Sequence, residues 1–146
     1  MDTIRLAAIP VELLDVLWDR IEPHLAKALV YAKGECDCST VKDRALKGDV
    51  LVVTVNVEKE IVAILTVMTD VFDTGKKALI VGAIGSASDV PMDSWFEQAF
   101  EVLKGIAGDL GCSEIRGHAG RMGWARRLKD TGWKEAYVTY IHEVEI

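Results

Sequence analysis

The sequence has no apolar run near the ~20 residues that a membrane-spanning helix needs, and it opens Met1-Asp2-Thr3-Ile4-Arg5 without a basic-then-apolar leader. A cytoplasmic chain with no membrane partner is therefore expected. Basic residues are in the minority, 17 against 23 acidic, and the net charge of -6 disfavours nucleic acid as a partner, because phosphate binding draws on clustered Lys and Arg. Cysteine and histidine are scarce, three of each. Cys36, Cys38 and Cys112 cannot all pair internally, which suits a reducing compartment. Cys36-Asp37-Cys38 puts one residue between thiols where zinc sites place two or more, and His24, His118 and His142 are scattered, so free thiols and no metal are expected. Repeats, low-complexity tracts and linkers are absent, and 146 residues fit one domain over 1–146 with a sizeable core.

What is present reads as alternating strands and helices. Ile4 and Leu6 alternate with more polar neighbours in a short first strand. Leu13, Leu14, Leu17, Ile21 and Leu25 recur at helical spacing after Pro10, and Pro23 should kink or divide that helix after Glu22. Ser39 or Thr40 can cap a second helix that runs through Lys47 and stops at Gly48. Val50 to Val57 and Ile61 to Phe72 flank the tight turn Glu58-Lys59-Glu60 and predict a hairpin. Ala78 to Ala83 is the continuous apolar run of a central strand buried on both faces. Met92 to Leu110 is the longest amphipathic pattern, stopped by Gly111. Glu114 to His118, a short helix ending at Gly132, and an alternating strand from Trp133 to Glu145 complete the order. The pattern predicts an α/β (α+β) mixed sheet with helices on both faces.

That order, with Gly123-Trp124-Ala125-Arg126-Arg127-Leu128 leading to Gly132-Trp133, resembles the GNAT N-acetyltransferase fold, and is similar to divergent GNAT-like proteins of tailed bacteriophages. The resemblance implies a mostly antiparallel central sheet, acetyl-CoA as cofactor and an amine as substrate. It also implies that the pyrophosphate would lie between the central strand and the long helix, where Val81, Gly82, Gly85, Ser86, Ser88 and Ser94 are the candidate cofactor-binding residues. Backbone amides and a helix dipole favour an anion at such a place. Plain turn and cap roles are the competing reading of these glycines and serines.

Several positions depart from the family pattern. The Gln/Arg-x-x-Gly-x-Gly/Ala signature is absent, and Asp89 and Asp93 put negative charge beside the expected phosphate. The central strand has no carboxylate to serve as base, and Leu128 stands where many members have a tyrosine acid. Tyr137, Tyr140, His118 and His142 could substitute, although strand aromatics are mainly packing residues. No nucleophile, base and orienting residue can be assembled, so the catalytic residues are unknown. Arg121, Arg126, Arg127 and Lys129 form either a phosphate or acidic-partner site or a solvated helix face.

The departures point first to a GNAT fold retained without chemistry, as a binding or phage accessory module with a protein partner. Its place would then be the host cytoplasm or the virion. An acetyl-CoA-dependent N-acetyltransferase with an atypical phosphate loop is the alternative. Four tryptophans can anchor an interface as well as a core, which leaves a homo-oligomer open.

Overall fold

The structure is a computed structural model that describes residues 3–87, 89–118 and 122–145. Five strands form one sheet in the order of the chain: β1 (Ile4–Ala8), β2 (Leu51–Val57), β3 (Glu60–Val71), β4 (Lys77–Ser86) and β5 (Glu114–Gly117). The first four pair antiparallel and β5 pairs parallel to β4. Four α-helices accompany them: α1 (Val11–Leu29), α2 (Cys38–Leu46), α3 (Phe96–Asp109) and α4 (Met122–Asp130), with a short 3₁₀ turn at Met92–Ser94 before α3. The mixed, mostly antiparallel sheet expected from the sequence is thus what forms.

Helices cover both faces. Leu14, Trp18, Ile21 and Leu25 of α1 pack with Val41 and Ala45 of α2 over Val52, Ile64 and Ala83. On the other face, Trp95, Ala99, Leu103 and Ala107 cover Val53, Val55, Leu65, Val67, Leu79 and Val81. Adjacent residues such as Val52 and Val53 serve opposite clusters, as the two-residue period of a strand requires.

Pro23 does not divide α1, which runs as one helix from Val11 to Leu29. Pro23 and Asp19 both lie on the exposed face, so the carbonyl that loses its helical partner faces water, and the buried stripe continues past it. The cap of α2 is also shifted. Asp37 accepts from the Thr40 N–H at 2.8 Å while its own N–H donates to the Thr40 hydroxyl at 2.9 Å, a reciprocal capping box that makes Thr40 the third helical residue. Gly48, Gly111 and Gly132 adopt φ of 83°, 74° and 91° and end their helices as expected.

The largest departure is the last segment. Residues 133–145 belong to no strand, and Tyr137, Val138, Tyr140, Ile141 and Val144 are exposed. The alternation predicted there is real, but a strand needs a partner along its length, and β5 offers only four residues.

Candidate functional site

A break in the ladder lies halfway along β4. Thr66 of β3 pairs with Ala83, yet the next residue, Val67, pairs with Val81, so Gly82 is an extra residue bulged out of the ladder. The Ala83 N–H, displaced from the regular pattern, donates instead to the buried Thr66 hydroxyl at 2.9 Å. The bulge also inverts the alternation. Leu79 and Val81 face α3, whereas Ala83 faces α1 and Ile84 packs with the α3-side cluster.

The same position is where β4 loses its other neighbour. The parallel ladder to β5 runs from Ala78 with Glu114 to Val81 with Gly117 and ends there. Among the described residues, β4 from Ala83 to Ser86 is paired on the β3 side only. Gly82 is exposed although Val81 and Ala83 beside it are buried. Among the described residues the sheet therefore parts between β4 and β5, with Gly82 exposed on one side and Gly117 and His118 exposed on the other. A Thr66→Val substitution keeps the side-chain shape and removes the acceptor, stranding the Ala83 N–H. It is expected to cost about 1–3 kcal/mol and to lower Tm by several degrees in a thermal melt.

A second concavity adjoins the start of α3. Asp93, Phe96 and Glu97 on one side and Arg127, Asp130 and Thr131 of the α4 end on the other enclose about 510 Å³. Arg127 forms an ion pair with Asp93 across it, tying α4 to the 3₁₀ turn. Among the described residues that line it, Arg127 is the sole cation against three carboxylates. The sequence puts Asp93 beside the expected phosphate and leaves Arg127 either in a phosphate or acidic-partner site or on a solvated helix face; Glu97 and Asp130 carry no local signal.

The five described candidate cofactor residues do not form one loop. Val81 is a buried strand residue whose backbone pairs on both sides. Gly82 is the bulge, and Ser86 is the half-buried last residue of β4, paired with Ala63. Gly85 is turned the other way: a Cβ there would overlap the carbonyl oxygen of His24 in α1 and stand 2.8 Å from its carbon. That glycine permits close helix–strand packing. Ser94 lies in the 3₁₀ turn, where its hydroxyl donates to the Pro91 carbonyl at 2.6 Å. Ser88 and Arg121 lie outside the described residues, as does the side chain of Trp124.

The remaining candidates separate as well. His118 follows directly on the last β4–β5 pair. Tyr140 is 90% exposed, and among the described residues the His142 ring meets the Glu143 carbonyl beside it, at 2.8 Å. Glu114 on β5 accepts from Arg116 at 2.7 Å and pairs with Lys76 at 3.1 Å, and both cations hold its carboxyl below the usual range, Arg116 first. The Arg116 guanidinium also stacks 4.5 Å over Phe72. Cys36 and Cys38 are free and half-buried; desolvation, followed by the nearby carboxylates of Glu35 and Glu22 respectively, pushes both thiols up, away from nucleophilic thiolate. Among the described residues no group of three or more His, Cys, Asp or Glu is arranged to hold a metal, and no helix is long and apolar enough to cross a membrane.

No protein-family model matches the chain, and no curated protein matches it in sequence. Solved structures do match over nearly the whole length. The ribosomal-protein-alanine N-acetyltransferase from Brucella melitensis biovar Abortus 2308 superposes with a TM-score of 0.72 at 17% identity, covering 98% of this chain and 100% of that one. A GNAT family acetyltransferase from Staphylococcus aureus gives 0.66 at 13%, covering 99% and 100%. An aminoglycoside N-acetyltransferase in complex with CoA gives 0.72 at 8%, covering 100% and 97%. Identities this low speak for architecture alone, and the architecture is the GNAT fold.

Proposed function

We propose that the chain is an N-acyltransferase that takes an acyl thioester of coenzyme A and an amine acceptor. The observation that carries this reading is the parting of β4 from β5 at Gly82. An extended, amide-containing arm can lie along a strand edge that has lost its neighbour, in the manner of an added strand. Exposed backbone at a bulge is where a carbonyl can approach a fixed N–H without a side chain in the way. The residues here fit the thioester end of the cofactor. They fit the diphosphate end only if Arg127 leaves Asp93, because Asp93, Glu97 and Asp130 otherwise repel a phosphate.

The bound thioester would supply the acyl group; its C–S bond breaks as the amine N–C bond forms. The chain must remove a proton from the amine and exclude water. His118, at the far bank of the opening, is assigned the proton-accepting role that no β4 carboxylate can fill.

Thermal unfolding with acetyl-CoA, CoA and ATP tests the binding half. At about 100 times its dissociation constant a ligand adds roughly 2.7 kcal/mol, a rise of several degrees in Tm. Release of CoA against an amine panel tests the chemistry, and His118→Ala is expected to lower turnover at least tenfold while leaving the thermal shift intact. No shift with any CoA species would overturn the proposal.

A second reading is favoured by the Asp93–Arg127 pair itself. If that contact stays closed, the fold serves as a binding module for a protein partner, including an accessory or structural role in a phage particle, and neither acetyl-CoA stabilisation nor CoA release appears.

A further inference from the structure

Cys36-Asp37-Cys38 has no role in acyl transfer, yet the fold places its two sulfurs together. Asp37, the residue between them, has φ −133° and ψ 178°, and backbone this extended turns the side chains of its two neighbours to one side. Burial follows the same alternation: Cys36 and Cys38 are half-buried and Asp37 is exposed. Both cysteines pack against the apolar cluster of α1, α2 and the sheet, and their thiols act on each other electrostatically. The conformation is also held in place. Asp37 closes the α2 capping box with Thr40, so it cannot leave the extended region without giving up both capping bonds.

That spacing decides which bond the pair can make. Two residues at a rise of about 3.3 Å each put the Cα atoms of Cys36 and Cys38 roughly 6.6 Å apart, near the far limit for a disulfide, which prefers about 5.5–6 Å. An S–S bond of about 2 Å would draw the two residues in and break the cap. A metal ion between the sulfurs spans more. Two bonds of about 2.3 Å, the length thiolates make to zinc, set in line hold the sulfurs about 4.6 Å apart.

We propose that Cys36 and Cys38 form a two-coordinate site for a soft monovalent cation, copper(I), at the start of α2. Coordination number selects the ion. Among the described residues no third His, Cys, Asp or Glu is arranged with the pair, so zinc, which takes four ligands at structural sites, would find only half of them. Soft thiolates select copper(I), a closed-shell ion that is satisfied by two. The apolar cluster beneath the sulfurs keeps water from further positions on the ion. Desolvation, which raises both thiols, keeps the empty pair protonated. Each sulfur therefore exchanges its proton for a bond to the metal; two protons leave for one ion bound, with no change in oxidation state.

Titration of the reduced full chain, free of oxygen, with copper(I) held by the colorimetric chelator bicinchoninate is expected to withdraw one ion per chain. Cys36→Ser and Cys38→Ser should each weaken retention at least about a hundredfold, the loss of one of two metal–sulfur bonds, with the metal-free Tm unaltered. Cys112→Ser should hold copper as the parent does, and zinc should not compete. X-ray absorption at the copper edge of the loaded parent chain, which depends on no variant, should read two sulfur neighbours. The proposal is overturned if the chelator keeps all the copper, if either Cys36→Ser or Cys38→Ser retains it, if Cys112→Ser loses it, or if absorption shows three or four ligands.

Discussion

A Gly85→Val variant is expected to lose about 3 kcal/mol or more, at the upper end of overpacking effects, and to melt about 10 °C below the parent. The obstacle is backbone. The first atom of any side chain at Gly85 overlaps the His24 carbonyl oxygen of α1, and the Ala28 methyl lies 3.4 Å away. A carbonyl in the middle of a helix cannot rotate aside, so α1 as a whole must retreat from β4. That retreat loosens Leu14, Ile21 and Leu25, which are at most 2% exposed. A loss of this size is a large part of a typical domain's 5–15 kcal/mol. Urea unfolding measures it, and Gly105→Ala is the control: within α3, with nothing near its added Cβ, it should stabilise by about 0.5–1 kcal/mol. Equal behaviour of the two variants would refute the close approach. Gly85 substitution also makes a poor probe of ligand binding, because the fold fails first.

Breaking the Asp93–Arg127 contact from its two sides should move acetyl-CoA affinity in opposite directions. Asp93→Asn removes the carboxylate that competes for the guanidinium and one of the charges that repel a diphosphate; binding is expected to tighten about 3- to 10-fold. Arg127→Ala removes the cation that lines that concavity among the described residues and should weaken binding by at least about tenfold, the loss of a charged hydrogen bond. The Asp93 side chain is 76% exposed, so its substitution should leave Tm without ligand nearly unchanged. Isothermal titration at low and high salt reads both effects. If Asp93→Asn weakens binding, or Arg127→Ala leaves it unaltered, the diphosphate does not lie between the start of α3 and α4.

Much of the architecture is a consequence of local pattern. The apolar stripe of α1, the long helix ending at Gly111, the Glu58-Lys59 turn and the glycine stop at Gly132 are each encoded within a few neighbouring residues, so they were legible in the sequence. The division that Pro23 could impose does not form, because its cost depends on which way the helix faces. With Asp19 turned to water the freed carbonyl is solvated, and the rotation that does this is set by packing on β3 and β4.

The site was less legible, for the same reason. Gly82 and Gly85 read alike, as candidate phosphate contacts or plain turn glycines, yet one is an exposed bulge and the other a packing contact. The bulge depends on the Thr66 hydroxyl of a neighbouring strand, and the tight packing on a helix formed more than fifty residues earlier. The alternation of 133–145 is likewise a local property, whereas its pairing depends on an edge long enough to receive it. Sequence by itself determined the elements and the faces they bury, because periodicity acts between near neighbours along the chain. Tertiary structure alone decided where the sheet opens, which glycine is exposed and which charge meets Arg127, because those contacts join distant segments.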